Sequence, residues 1–159
     1  MNIIFASDLH YHGRHDLTWG VSMATKQKFS HHEADKAQFR PGGLRSYFEY
    51  RDLGIKDATD GDYVAHVIRA VEGDNATGQW HSHDCSFQMY YVLNGWIKFE
   101  YEGQGIHTAR KGDCVLQPAG IRHREMEHSE DLELIEIVAP GEFETVSEES
   151  TEGTSDTTA

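Results

Sequence analysis

Three histidines and one glutamine in the second half of the sequence have the types and the spacing of a metal site. His81 and His83 are separated by one residue in a segment with strand character, and side chains two apart in a strand point to the same face. Gln88 follows shortly after, and His123 follows a turn predicted at residues 118–120. Imidazole and amide groups bind divalent transition metals. We therefore predict that these four side chains hold one divalent ion: zinc, iron, nickel or manganese.

Short segments rich in β-branched and aromatic residues must position these side chains. Gly, Asn, Asp and Pro interrupt the segments, which is typical of an all-β chain. The pattern predicts strands over residues 45–50, 63–71, 87–93, 96–101, 114–117, 123–127 and 132–138, and a short helix over 53–58. Asn94-Gly95 lies between two of the strands and predicts a type I′ hairpin turn. Seven or eight such strands indicate a jelly-roll barrel or a sandwich.

Two groups of residues resemble the two sequence motifs of the cupin superfamily. The first motif is G(X)5HXH(X)4E(X)6G, and it is matched by Gly78, His81, His83, Gln88 and Gly95, with Gln in the place of Glu and with the motif's spacing from His81 to Gly95. The second motif is G(X)5PXG(X)2H(X)3N, and it is matched by Gly112, Pro118, Gly120 and His123, with Glu127 in the place of Asn. The resemblance implies a cupin jelly-roll β-barrel, and we also expect a homodimer.

The glutamine in the first motif changes the charge expected at the site. Three neutral imidazoles and the neutral Gln88 amide leave a bound ion its full positive charge, so the ion should attract an anionic oxygen of a small organic substrate. This set of ligands resembles that of small cupin enzymes that linearise unsaturated uronates and that of some polyketide cyclases.

Three further residues are candidates for catalysis or substrate binding. Tyr90 and Glu125 lie two positions beyond Gln88 and His123, so they should share the face of those ligands and could transfer protons. A carboxylic acid in an apolar barrel would have a raised pKa. Arg69 could hold a substrate carboxylate through two hydrogen bonds, and the alternative for it is a place on the outer surface.

Several functions remain open for such a site. The first hypothesis is a metal-dependent enzyme, an isomerase, lyase or dioxygenase, that acts on a small anionic molecule. Oxygenation requires a redox-active ion, whereas isomerisation requires only a Lewis acid. The alternatives are a non-catalytic module that binds a small molecule and a barrel that the metal merely stabilises.

Charge and composition exclude other functions. The net charge is -13, and residues 61–159 hold 6 basic and 19 acidic side chains because residues 1–60 contain 8 of the 14 basic and 8 of the 27 acidic ones. Such a surface repels nucleic acid. No apolar segment is long enough to span a membrane, and Asp8 interrupts the N-terminal apolar segment too early for a signal peptide, so we expect a cytoplasmic protein.

The sequence divides into three parts by composition. Residues 1–40 are weakly patterned and are predicted to form a poorly ordered extension. Residues 41–144 are predicted to form the barrel, with the two motifs at 78–95 and 112–127. Residues 145–159 are polar and acidic, which predicts a disordered tail.

Overall fold

The computed structural model describes residues 27–41, 45–73, 76 and 78–147. Nearly all regular structure in these residues is strand, as predicted. The strands are β1 (Phe48–Asp52), β2 (Val64–Ala70), β3 (His81–Asp84), β4 (Phe87–Asn94), β5 (Trp96–Tyr101), β6 (Gly105–Arg110), β7 (Cys114–Leu116), β8 (His123–His128), β9 (Glu133–Ala139) and β10 (Glu144–Ser147), and the helix is α1 (Ile55–Ala58). No helix in the described residues is long and apolar enough to cross a membrane.

Two antiparallel sheets of five strands enclose the core. Their orders are β1-β2-β9-β4-β7 and β10-β3-β8-β5-β6. Side chains alternate between the two faces of each strand, so every second residue points to the space between the sheets. The core residues there are Tyr47, Phe48, Ile68, Tyr90, Val92, Ile97, Ala109, Leu132 and Leu134. This arrangement confirms the predicted all-β jelly-roll fold.

The seven predicted strands and the helix are all present, with ends displaced by up to three residues. The strand predicted over residues 45–50 begins at Phe48 instead, which leaves Arg45 in the preceding loop. Strands β6 and β10 were not predicted. Both carry few apolar side chains and lie at the edges of their sheet, where most of their residues face water and the alternation of apolar and polar residues is weak.

The type I′ hairpin predicted at Asn94-Gly95 is wrong. Strands β4 and β5 belong to different sheets, so this turn connects the sheets instead of pairing two neighbouring strands. Only Gly95 has a positive φ, of 67°. A Cβ at Gly95 would collide with the Ser129 hydroxyl and lie 3.0 Å from the Leu132 Cα. Glycine is therefore required here for the close approach of the loop between β8 and β9 as well as for its backbone angle.

The ordered structure extends past both predicted boundaries of the barrel. Thr145, Val146 and Ser147 were assigned to the tail, but they continue β10, which pairs with β3. The polar tail composition hid this strand because backbone hydrogen bonds, and not apolar side chains, hold it. At the other end, the backbone N–H of Lys28 donates to the carbonyl of Ala58 at 2.7 Å. The remainder of the predicted extension, residues 1–26, and the tail from residue 148 lie outside the described residues.

Candidate metal centre and its cavity

Neighbouring strands bring the three predicted histidine ligands together. His81 and His83 lie on β3, and His123 on β8 stands directly opposite His81 in the pairing of these strands. All three are buried, and their potential ligand atoms lie within 4.8 Å of one another. This group of residues could therefore hold a metal ion. Its formation depends on both the two-residue period of β3 and the register between β3 and β8.

Hydrogen bonds at the far side of each ring determine which nitrogen faces the metal position. The Nδ1 atoms of His81 and His123 lie 3.0 Å from the carbonyl oxygens of Gln79 and Ile121. The Nδ1 atom of His83 lies 2.9 Å from the Thr145 hydroxyl. A carbonyl oxygen accepts only from a protonated nitrogen, which leaves Nε2 with a free lone pair. Such contacts typically orient histidines that bind metals.

Burial keeps these imidazoles neutral. Removal from water and, to a smaller extent, proximity to His123 lower the pKa of His81 to about 3 and that of His83 to about 4. Burial also lowers the pKa of His123. All three rings therefore carry a lone pair at neutral pH, as metal binding requires. The donor set fits a divalent transition metal ion.

Gln88 on β4 reaches the same cavity and contacts a carboxylate that the sequence did not single out. Its amide Nε2 donates to Oε1 of Glu136 at 2.9 Å, so its amide oxygen is the atom left to bind a cation. Glu136 lies on β9, is half-buried and lines the cavity described below. Burial raises its pKa, and the hydrogen bond from Gln88 lowers it to a smaller extent. Glu136 is therefore a carboxyl group that can hold a proton closer to neutral pH than an exposed glutamate does.

A cavity of about 920 Å³ opens beside these residues. It is lined by the three histidines and Gln88, by Tyr90, Glu125 and Glu136, and by residues of the segment before β1, Arg40 and Arg45 among them. The volume is in the range of sites for small organic ligands. The cavity thus combines a candidate metal position with the buried carboxyl group of Glu125 and the half-buried one of Glu136.

Glu125 faces the interior, as the sequence predicted. It lies on β8 and is 3% exposed. The Nδ1 atom of His128, on the same strand, donates to its carboxylate at 2.6 Å, and both side chains are almost fully buried. The His128 ring stacks on Tyr47, with ring centroids 5.7 Å apart. His128, which the sequence did not indicate, therefore holds the Glu125 carboxylate in position.

Tyr90 lies inward as well, within a network of hydroxyl groups. Its hydroxyl is 3.2 Å from that of Tyr101, which accepts a hydrogen bond from the Gln117 amide at 3.3 Å. Burial raises the pKa of Tyr90 strongly, so its hydroxyl remains protonated. Tyr90 stands directly opposite Glu136 in the pairing of β4 with β9. Its predicted role in proton transfer stays a prediction.

Arg69 is not among the residues that line the cavity, and the structure places it on the outer surface, the alternative given for it above. Its guanidinium donates two hydrogen bonds to Glu49 on the neighbouring strand and packs over Phe39, 4.0 Å from the ring centroid. Arg69 alternates with Ile68, which faces the core, and so points to the outside. The sequence could not choose between the two faces of β2 because apolar residues occur on both.

Arg45, in contrast, lines the cavity and contacts the first of the three histidines. Its guanidinium nitrogen Nη2 is 2.7 Å from Nδ1 of His81. A guanidinium only donates, so this approach is not a hydrogen bond when the Nδ1 proton of His81 points to the Gln79 carbonyl. The sequence offered no signal for Arg45, since it was assigned to a strand of undetermined orientation.

Comparison with known protein families identifies the family that this fold resembles. Residues 68–138 match the family described as Cupin domain. The chain belongs to the cupin superfamily. The first glycine of the cupin motif has no counterpart at the expected distance, because Gly78 precedes His81 by three positions and the motif requires six. No curated protein sequence matches this cupin.

Several solved structures share the fold. KdgF from a Halomonas species is 21% identical, with a TM-score of 0.56 over 70% of this chain and 94% of its own. The polyketide cyclase RemF from Streptomyces resistomycificus is 17% identical, with a TM-score of 0.63 over 79% and 89%. A sugar phosphate isomerase from Silicibacter pomeroyi is 19% identical, with a TM-score of 0.54 over 67% and 73%. At these identities the similarity establishes the fold of this cupin and not its reaction.

Proposed function

We propose that this cupin is a metal-dependent enzyme of the isomerase or lyase type that acts on a small anionic organic molecule. The observation that carries the proposal is the meeting of two carboxyl groups, the buried Glu125 and the half-buried Glu136, with three buried histidines in one cavity. A bound divalent ion would supply Lewis acidity, which polarises a substrate oxygen and makes a neighbouring C–H bond more acidic. The carboxyl groups would then move the proton.

The surroundings of the two carboxyl groups suit opposite roles. Glu125 accepts a hydrogen bond from His128, an arrangement that suits a carboxylate ready to accept a proton. Glu136 has a raised pKa and can donate one. Groups with different environments in one site commonly divide acid and base catalysis in this way. Tyr90 remains protonated next to Glu136 and is positioned to donate a hydrogen bond to a substrate oxygen.

These groups favour proton transfer over the alternatives. Oxygenation depends on the redox chemistry of the ion and does not require a protonated carboxyl group. A non-catalytic binding module and a metal-stabilised barrel do not require two carboxyl groups in the cavity. The fold is also shared by a sugar phosphate isomerase and a polyketide cyclase. The homodimer and the cytoplasmic location remain predictions.

Exchange of substrate hydrogen with solvent tests the proposal without a known substrate. Small hydroxy acids, keto acids and uronic acids would be incubated with the zinc-loaded protein in D2O and followed by NMR. We expect at least one to incorporate deuterium next to its carbonyl or carboxylate group, and Glu136→Gln to slow the exchange by about a hundredfold or more.

Two comparisons make the result decisive. Glu133→Gln removes a carboxylate on β9 that does not line the cavity, and this variant should exchange at the normal rate. The metal-free protein should not exchange. If the iron-loaded protein consumes oxygen with these acids while no metal form catalyses exchange, the proposed class of reaction is wrong.

A further inference from the structure

The segment before β1 directs an arginine into the cavity. The backbone N–H of Arg40 donates to the Tyr50 carbonyl at 3.0 Å, and the N–H of Tyr50 donates back to the Arg40 carbonyl at 2.9 Å. Residues that face each other in an antiparallel pair direct their side chains to the same side. Tyr50 lines the cavity, and so does Arg40, whereas the preceding Phe39 packs outside against Arg69. The exposure of Arg40 shows that the cavity meets solvent there.

A second guanidinium, that of Arg45, belongs to the same loop before β1 and reaches the same cavity. Arg45 lines the cavity and approaches His81 to 2.7 Å. Arg40 and Arg45 thus line the same cavity as the three histidines.

Neither arginine is neutralised by a carboxylate within the part of the chain that the structure describes. Six other basic side chains there form ion pairs with glutamates: Lys36, Lys56, Arg69, Lys98, Arg122 and Arg124. Three carboxylates share the cavity with the two arginines, and each has another partner. Asp52 accepts a hydrogen bond from the Gly54 backbone N–H, and Glu125 and Glu136 are hydrogen-bonded to His128 and Gln88. In a protein with a net charge of -13, two guanidinium groups directed at one cavity without acidic partners leave their donors for a ligand.

We propose that Arg40 and Arg45 bind an oxyanion group of the substrate, a carboxylate or a phosphate, while another oxygen of the same molecule lies at the metal position. The proposal rests on the proposed function and adds a substrate class to it: small organic acids that carry a second anionic group away from the reacting end. Planar guanidinium groups suit this task, because they bind carboxylate and phosphate oxygens through paired hydrogen bonds. Arg40 and Arg45 therefore determine specificity.

The affinity of matched acids measures this binding site independently of turnover. Propionate, succinate and 3-phosphonopropionate share a carboxylate and differ in the group at the other end of the chain. Isothermal titration calorimetry with the cobalt-loaded protein should show that succinate or 3-phosphonopropionate binds at least about tenfold more tightly than propionate, in line with charge-assisted hydrogen bonds. The better of the two identifies the preferred oxyanion.

Variants connect the preference to the two arginines. Arg45→Gln and Arg40→Gln should each reduce the preference for the second anionic group by about tenfold, and Arg45→Lys should restore only part of it. Arg69→Gln removes the same charge on the outer surface and should leave the preference unchanged. An equal preference in Arg45→Gln, Arg40→Gln and the unchanged protein would refute the proposal, and so would the absence of any preference in the unchanged protein.

The visible spectrum of the bound cobalt separates this outcome from a failure of the proposed function. Ligand-field bands that develop with one equivalent of cobalt and are lost in His81→Gln support the metal centre. If the bands form normally and the acids show no preference, the oxyanion site is wrong and the metal centre stands. If the bands do not form, the protein does not bind cobalt at the three histidines, and the proposed function is wrong.

Discussion

At the scale of single residues, Gln88 has a different meaning in the structure from the one its type suggests. As a neutral ligand in the place of glutamate, it predicts a site without negative charge. Glu136, however, lies 2.9 Å from its amide nitrogen. The carboxyl group is thus one hydrogen bond further from the metal position instead of absent. Its raised pKa makes the charge of the site dependent on pH, which a directly coordinated carboxylate would not be.

Exchanging the Gln88 amide and the Glu136 carboxyl group between their positions tests whether these side chains interact. Gln88→Glu places two carboxyl groups next to each other in a buried site, so we expect the metal-free variant to lose about 1–3 kcal/mol of unfolding free energy at pH 8. The loss should be smaller at pH 5, where one proton can be shared. The double variant Gln88→Glu/Glu136→Gln should regain most of the loss, as measured by urea unfolding. Purely additive effects of the two substitutions would show that the side chains do not interact.

At the scale of elements, the metal position depends on the edge strand β10, although no predicted ligand lies on it. Thr145 faces His83 in the pairing of β10 with β3, and its hydroxyl contacts the Nδ1 atom of that histidine. The strand therefore orients one ligand from behind. Because polar residues near the end of the sequence looked like a tail, this contribution became visible only when the strand was seen to pair.

Removal of the Thr145 hydroxyl should weaken metal binding without unfolding the barrel. Thr145→Val keeps the shape of the side chain and removes the hydrogen-bond partner of His83, and partners of this kind are worth roughly tenfold or more in metal affinity. Competition with a chromophoric chelator measures the change. Val146→Thr is the matched control, since Val146 is exposed on the other face of β10. Equal affinities of the two variants would contradict the role of Thr145.

At the scale of the whole molecule, the cavity brings buried titratable groups into one cooperative fold. Its three histidines have lowered pKa values and Glu136 a raised one. Burial between the two sheets disfavours the charged form of each of these groups. Stability and acidity are therefore coupled in the metal-free protein.

Acidification should destabilise the metal-free protein. Below pH 6.5 the unfolded chain binds protons at its histidines, whereas in the folded state His81 and His83 bind them only near pH 3 and 4. The free energy of unfolding therefore decreases as the pH is lowered. Glu136 has the opposite effect because it binds its proton more readily when folded, but it is one group against three. Urea unfolding between pH 7 and pH 4 measures the slope, which His83→Gln should flatten. A slope that is unchanged in this variant would contradict the assignment.

The sequence by itself determined the strands, the fold family and the histidines that meet in the site. Strand character and the His81-Ser82-His83 spacing depend on a two-residue period that neighbouring residues encode directly. The features that the sequence did not predict have a common cause, because each depends on a contact with a residue far away along the chain. The direction of Arg69, the contact of Glu136 with Gln88 and the entry of Arg40 and Arg45 into the cavity depend on which strands pair and in what register. Only the packing of the two sheets decides that, and the two-residue period fits either face of a strand equally well.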